Sequence, residues 1–114
     1  MLSEAQGYAG WCILLLKTHE EHLDRLPVAR QERLAGDLAR VATAVREVFR
    51  PKRLNYECLG NVQPHVHWHV IPRHADDPQP DAAVWVRPAV EREAGIPDAE
   101  RDERVRKLRK ALGA

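Results

Sequence analysis

His65, His67 and His69 stand at alternate positions and are the residues of this chain best placed to do chemistry together. His74 follows them, so four of the six histidines fall between positions 65 and 74. On an extended strand, successive side chains point to opposite faces, and the three imidazoles would project from one side at steps of about 6.7 Å. Val66, Trp68 and Val70 would point the other way, into a core, whereas a helix would scatter the three rings. Three chemistries compete for such a row. It can be a solvated strand face with no task. It can be a zinc or iron site, since imidazole is the commonest metal ligand, although no acidic residue or cysteine between Gly60 and Arg73 offers a companion ligand. It can also be nucleophilic catalysis at phosphorus, in which a neutral imidazole attacks an α-phosphate, a neighbouring donor assists the leaving group, and water releases the phosphoramidate.

The elements around the row must position it. Trp11 to Leu16 is a six-residue apolar run preceded by Gly10 and reads as a buried strand. Lys17 to Leu26 is polar, a loop or a single helical turn. Pro27 opens a long helical pattern, because its fixed φ and missing N–H are tolerated in a first turn. Leu34, Leu38, Val41, Val45 and Val48 recur at steps of four and three, with Arg33, Asp37, Arg40 and Glu47 on the opposite face. That stripe predicts core packing. Arg50-Pro51 ends the helix, since the residue before proline is pushed out of the α region. Leu54 to Leu59 reads as a second strand, Gly60-Asn61 as a turn, and His65 to Ile71 as a third strand ending at Pro72. Pro78 and Pro80 mark a loop that holds the apolar patch Val84-Trp85-Val86. Pro97-Asp98 starts a charged C-terminal helix over 97–112 with Val105, Leu108 and Leu112 on one side. Strand, long helix, two strands and a last helix predict an α+β fold. Its small antiparallel sheet carries one long helix packed across it, within a single domain over 1–114.

Composition narrows the classes. The chain has 114 residues, enough for a core without metal or disulfide staples, and 18 basic against 17 acidic side chains leave a net charge of +1. That balance gives no sign of a protein that coats nucleic acid, while leaving room for a local anion site. A 44% hydrophobic share with 31% charged residues reads as soluble and globular. The six-residue apolar run is far short of the roughly 20 residues that span a bilayer. The N-terminus lacks a basic stretch followed by an apolar core and a small-residue cleavage site. The expectation is therefore a cytoplasmic protein in which Cys12 and Cys58, both in apolar strand-like segments, are buried free thiols.

The run Gly60-Asn61-Val62-Gln63-Pro64-His65-Val66-His67-Trp68-His69-Val70-Ile71-Pro72-Arg73 resembles the signature of the histidine triad (HIT) superfamily. That signature is His-φ-His-φ-His-φ-φ with a Pro-Arg continuation. Leu54-Asn55-Tyr56 resembles the strand that precedes it, and Gly10 to His19 resembles the early strand with its turn into a basic-His segment. The resemblance covers about residues 7–87 and implies a HIT-like fold in a small HIT-domain hydrolase of the bacterial type. It implies hydrolysis or nucleotidyl transfer at the α-phosphate of a dinucleoside polyphosphate or a nucleotide phosphoramidate, through a nucleotidyl-histidine intermediate. No tightly bound cofactor is expected, although a divalent cation can accompany a polyphosphate substrate. A homodimer is expected; nucleic acid and membrane partners are not.

Carried over by position, His67 matches the central nucleophile, and His69 the third histidine, which donates to phosphate oxygens. His65 matches the first histidine, which orients the central imidazole. The resemblance implies that the second ring nitrogen of His67 donates to a fixed acceptor, often a backbone carbonyl. Asn61 and Asn55 match positions where relatives often bind phosphate or the leaving group, and Gln63 on the same loop could cap a phosphate. Two of them also have a plainer reading: Asn61 suits the Gly60-Asn61 turn, and Gln63 suits solvent. His19 reads as local structure and Trp68 as core, while Trp85 lies where relatives lend residues to the site or to a dimer partner. Two departures stand out. Many relatives carry histidine or another polar residue near the position of Trp11, and many have a further strand or hairpin for the nucleoside pocket ahead of it. Two other functions fit the same triad: a non-catalytic nucleotide-binding module, and a metal-dependent enzyme with the histidines as ligands.

Overall fold

The computed structural model describes residues 1–113. Three strands, β1 (Cys12–Leu15), β2 (Arg53–Glu57) and β3 (His67–Arg73), form an antiparallel sheet in the order β1-β3-β2. The helix α1 (Val28–Phe49) connects β1 to β2 and lies across one face of the sheet. A short α2 (Ala89–Arg92) and the longer α3 (Asp98–Ala111) complete the chain, with single 3-10 turns at Leu23–Arg25 and Val84–Val86. The architecture is α+β, as the order of elements predicts.

Pro27 caps α1 with extended dihedrals, so its missing N–H costs the helix nothing. The apolar stripe faces the sheet as expected: Val45 has no exposed surface, and Leu34 is buried. Val45 and Ala42 pack with Cys12, Leu54 and Val70, and Leu38, Val41 and Val48 flank them. Leu34 closes a neighbouring cluster with Leu16, Leu26 and Val66, against which Leu14 and Trp68 rest. The turn after α1 is tighter than the sequence predicts. Arg50 is left-handed (φ 49, ψ 52) rather than extended, which lets its N–H donate to the Arg46 carbonyl and sends the chain almost directly into β2. Gly10 is required opposite this turn. Its φ is +95, and an added Cβ would lie 2.5 Å from a Phe49 ring carbon.

Three details of the strands correct the sequence reading. β2 ends at Glu57, which leaves Cys58 exposed rather than buried. β3 begins at His67, so His65 precedes the strand instead of opening it. β3 also runs through Pro72 to Arg73. Proline is tolerated there for a local reason. The Arg73 carbonyl accepts from the Lys52 N–H on the β2 side, so the Pro72 nitrogen faces the β1 side, at a level where β1 has not begun.

The register assigns the faces. Ile13 and Glu57 both pair with His69, Leu15 pairs with His67, and Asn55 pairs with Ile71. These residues share the face of β3 opposite α1. Its Ile71 end is covered by Tyr8, Trp11 and Val84, which form a second small core. The loop after β3 is tied down by Arg73, whose guanidinium donates to Asp77, Asn55 Oδ1 and the carbonyls of Gln79 and Ala82. α3 is on the other side, where Val105, Leu108 and Leu112 pack with the α1 core as predicted. Arg101 donates from α3 to the carbonyls of Leu2 and Ser3. α3 therefore braces α1 and the N-terminal segment rather than covering the histidines.

Candidate active site

The open end of the face opposite α1 carries His67 and His69, with ring centroids 5.1 Å apart and planes at 75°. Their hydrogen bonds fix which nitrogens carry protons. Nδ1 of His67 lies 2.7 Å from the His65 carbonyl. A carbonyl only accepts, so Nδ1 is protonated and the neutral ring keeps its lone pair on Nε2. Nδ1 of His69 lies 3.0 Å from Nε1 of Trp11. An indole N–H only donates, so Nδ1 of His69 accepts and Nε2 carries the proton. Two adjacent imidazoles thus offer a bare nitrogen and an N–H.

His65 contributes through its backbone. Its ring turns away, with Nε2 donating to the Leu16 carbonyl at 2.6 Å and Nδ1 lying 3.3 Å from Nδ1 of His19. With the His65 proton committed to Nε2, the His19 Nδ1–H is the donor of that pair. His19 therefore serves local structure, as the sequence suggests, and the His65 ring links the loop before β3 to the end of β1.

Aromatic rings wall one side of His69. Trp11 and Trp85 meet it edge-on with centroids at 5.6 and 5.7 Å, and contact each other at 5.7 Å. The Trp85 N–H donates to Oε2 of Glu57 at 2.8 Å, and the Arg92 guanidinium stacks 5.2 Å from the Trp85 ring. Half-buried, His69 is held below the usual histidine range, by loss of solvation first and by the charge of His67 second.

The remaining predicted residues are more scattered. Asn55 shares the histidine face, but its Oδ1 accepts from Arg73 at 2.7 Å, which makes it part of the loop anchor. Asn61 and Gln63 are exposed in the loop between β2 and β3. Among the described residues, no group of three or more histidine, cysteine or acidic side chains could hold a metal. Sequence reading missed the contact between Trp11 and His69. The available signal was an indole in the apolar run just before β1, which carries one N–H that burial obliges to find an acceptor.

The family model for the HIT domain matches residues 3–76, most of the chain. The chain belongs to the HIT family. Solved HIT structures share its fold. A histidine triad protein from Sinorhizobium meliloti 1021 superposes with a TM-score of 0.87 at 22% identity, over 96% of this chain and 79% of that one. A histidine triad protein from Marinobacter aquaeolei VT8 gives 0.81 at 26% identity, over 98% and 80%. A hypothetical histidine triad nucleotide-binding protein from Sulfolobus tokodaii strain7 gives 0.76 at 16% identity, over 98% and 75%. No curated protein matches this chain. Membership supports a role in nucleotide binding or hydrolysis for the HIT chain, and no helix among its described residues is long and apolar enough to cross a membrane.

Proposed function

We propose that this HIT protein is a nucleotidyl hydrolase or transferase that cleaves at the α-phosphate of a dinucleoside polyphosphate or a nucleotide phosphoramidate. The observation that carries the reading is the 2.7 Å bond from His67 Nδ1 to the His65 carbonyl, which leaves Nε2 of His67 free to attack. In the first step the Nε2 lone pair forms a P–N bond, and the bond from phosphorus to the leaving group breaks. A polyphosphate leaving group departs as the phosphate anion, and the nitrogen of a phosphoramidate takes up a proton from solvent as it leaves. In the second step water attacks the nucleotidyl-His67 and gives up a proton to solvent, the P–N bond breaks with its electron pair returning to Nε2, and the mononucleotide leaves with neutral His67 restored.

The Nε2–H of His69 donates to a phosphoryl oxygen, where negative charge builds as phosphorus is attacked. Asn61 and Gln63, on the adjacent loop, supply further donors when substrate binds. Asn55 steadies Arg73 through its Oδ1, and its amide N–H groups, which make no bond among the described residues, are the donors it would offer to phosphate. No step needs a protein-bound metal; a divalent cation enters, if at all, with a polyphosphate substrate. Met1 to Ser3 cover the β1 edge from Trp11 to Ile13, and the short uncovered end at the exposed Leu15, beside the site, supports the reading that two copies pair as a homodimer.

The test is hydrolysis of diadenosine polyphosphate and of an adenosine phosphoramidate by the wild-type protein and by His67→Ala. Mononucleotide release by the wild type alone supports the reading. Both substrates left intact at high enzyme concentration, with mononucleotide still bound in calorimetry, would replace it with a non-catalytic binding module.

A further inference from the structure

Trp11 stands where a merely apolar residue would serve the core, yet its one polar atom is aimed at the histidine pair. The side chain is 2% exposed and packs with Tyr8, Ile71 and Val84. Its backbone is equally fixed: the N–H donates to the Tyr8 carbonyl, while its carbonyl accepts from the Ser3 N–H and from Nε2 of Gln6. The indole therefore cannot follow His69 if that ring turns. It presents an N–H that has no acceptor form and does not titrate in the physiological range.

We propose that Trp11 is a positioning residue that holds His69 as the Nε2–H tautomer, so that the N–H of this ring, and not a lone pair, faces the phosphoryl group. The alternative tautomer, or the imidazolium, would set an Nδ1–H of His69 against the Trp11 N–H at 3.0 Å, two donors head-on. The bond at Trp11 must break before His69 takes a second proton. His67 is held in the opposite tautomer by the His65 carbonyl. One backbone acceptor and one buried donor together sort the pair into a nucleophile and a hydrogen-bond donor. The proposal rests on the reading of His67 and His69 as the reacting pair, but the tautomer lock can be measured without any substrate.

The charged and titratable groups facing His69 are few. They are His67 on β3, Glu57 on β2, whose carboxylate is engaged by Trp85, and Arg92 behind the Trp85 ring. β1 presents only Ile13 at this level. None of these accepts or donates at Nδ1 of His69, so removing the indole N–H isolates the contribution of Trp11.

Residue 12 is cysteine, so the full chain can be assembled by native chemical ligation of a Met1–Trp11 thioester to a 15N-labelled Cys12–Ala114 segment. Position 11 would carry either tryptophan or 3-benzothienylalanine, which keeps the shape and replaces N–H by sulfur. In the tryptophan protein, the His69 ring should show an unprotonated Nδ1 and a protonated Nε2 by NMR at every pH where the ring is neutral. In the analogue the two nitrogens should move toward averaged shifts. The His69 titration midpoint should rise by about one unit, a tenfold change in proton affinity. The acidic limb of the single-turnover rate should move with it. An unchanged tautomer and midpoint in the folded analogue would overturn the proposal. Should the analogue not fold, uniformly 15N-labelled wild type decides: a coupling across the bond between Trp11 Nε1 and His69 Nδ1 supports the lock, and its absence at neutral pH refutes it. A lock seen by NMR in a protein that turns over no nucleotide would instead remove the enzymatic reading and leave the tautomer assignment standing.

Discussion

Asp77→Asn is the substitution whose cost follows most directly from the structure. The Asp77 and Arg73 side chains are 1% and 6% exposed, and Nε of Arg73 donates to Oδ2 of Asp77. Three of the four remaining guanidinium hydrogens go to Asn55 and to the carbonyls of Gln79 and Ala82. Asparagine keeps the shape but leaves a buried guanidinium without its counter-charge, a loss of about 3–5 kcal/mol. Unfolding entropy near about 2.1 cal/mol/K per residue makes each kcal/mol worth about 4 °C in a chain of 114 residues. The expected fall in Tm is thus about 12–20 °C, read by circular dichroism at pH 7, with a matching loss in urea titrations. The pH dependence gives a second check. Burial raises the Asp77 carboxyl, but hydrogen bonds from Arg73 and the Gln79 N–H, with the charges of Arg73 and Arg87, outweigh it and hold the group below its ordinary 3.8. A depressed acid stabilises the fold fully above its unfolded value and loses that contribution as pH falls through its folded value. The difference between wild type and variant should therefore be flat above about pH 5 and shrink on acidification below about pH 4. A loss under about 1 kcal/mol at pH 7, as for an exposed pair, would refute the account of this loop anchor.

Three further outcomes are expected. Val45→Ala, at a fully buried point between α1 and the sheet, should cost about 2 kcal/mol in urea unfolding with little change in the affinity for mononucleotide. Gly10→Ala should cost more than about 1 kcal/mol by the same measurement, because φ is +95 and the new methyl meets Phe49. His65→Ala leaves the carbonyl that holds His67 in place and removes the bonds to Leu16 and His19, so turnover should fall by about tenfold, short of the loss in His67→Ala.

What the sequence made legible was local or periodic. The α1 stripe could be read because helical spacing alone puts Leu34, Leu38, Val41, Val45 and Val48 on one face. The common face of His67 and His69 followed from strand alternation in the same way. What escaped depended on register and on side-chain rotation. Trp11 and His69 are 58 positions apart and meet because Ile13 pairs with His69, which brings the residues just before β1 alongside the histidines. The His65 ring turns to the Leu16 carbonyl because β3 starts only at His67, freeing the preceding residues from the strand's alternation. Cys58 is exposed for a similar reason, one residue beyond the end of β2. Asn55 lies on the histidine face, and its Oδ1 contact with the buried Arg73, 18 positions away, likewise depends on register.

The central claim is that His67 becomes covalently nucleotidylated. Mixing the protein with excess diadenosine polyphosphate, quenching in alkaline denaturant within a single turnover and recording the intact mass tests this directly. The account predicts a transient species heavier by one nucleoside monophosphate less water, located on His67 by peptide mapping and absent from His67→Ala. Mononucleotide release with no such adduct at any time, or an adduct formed equally in His67→Ala, would contradict it.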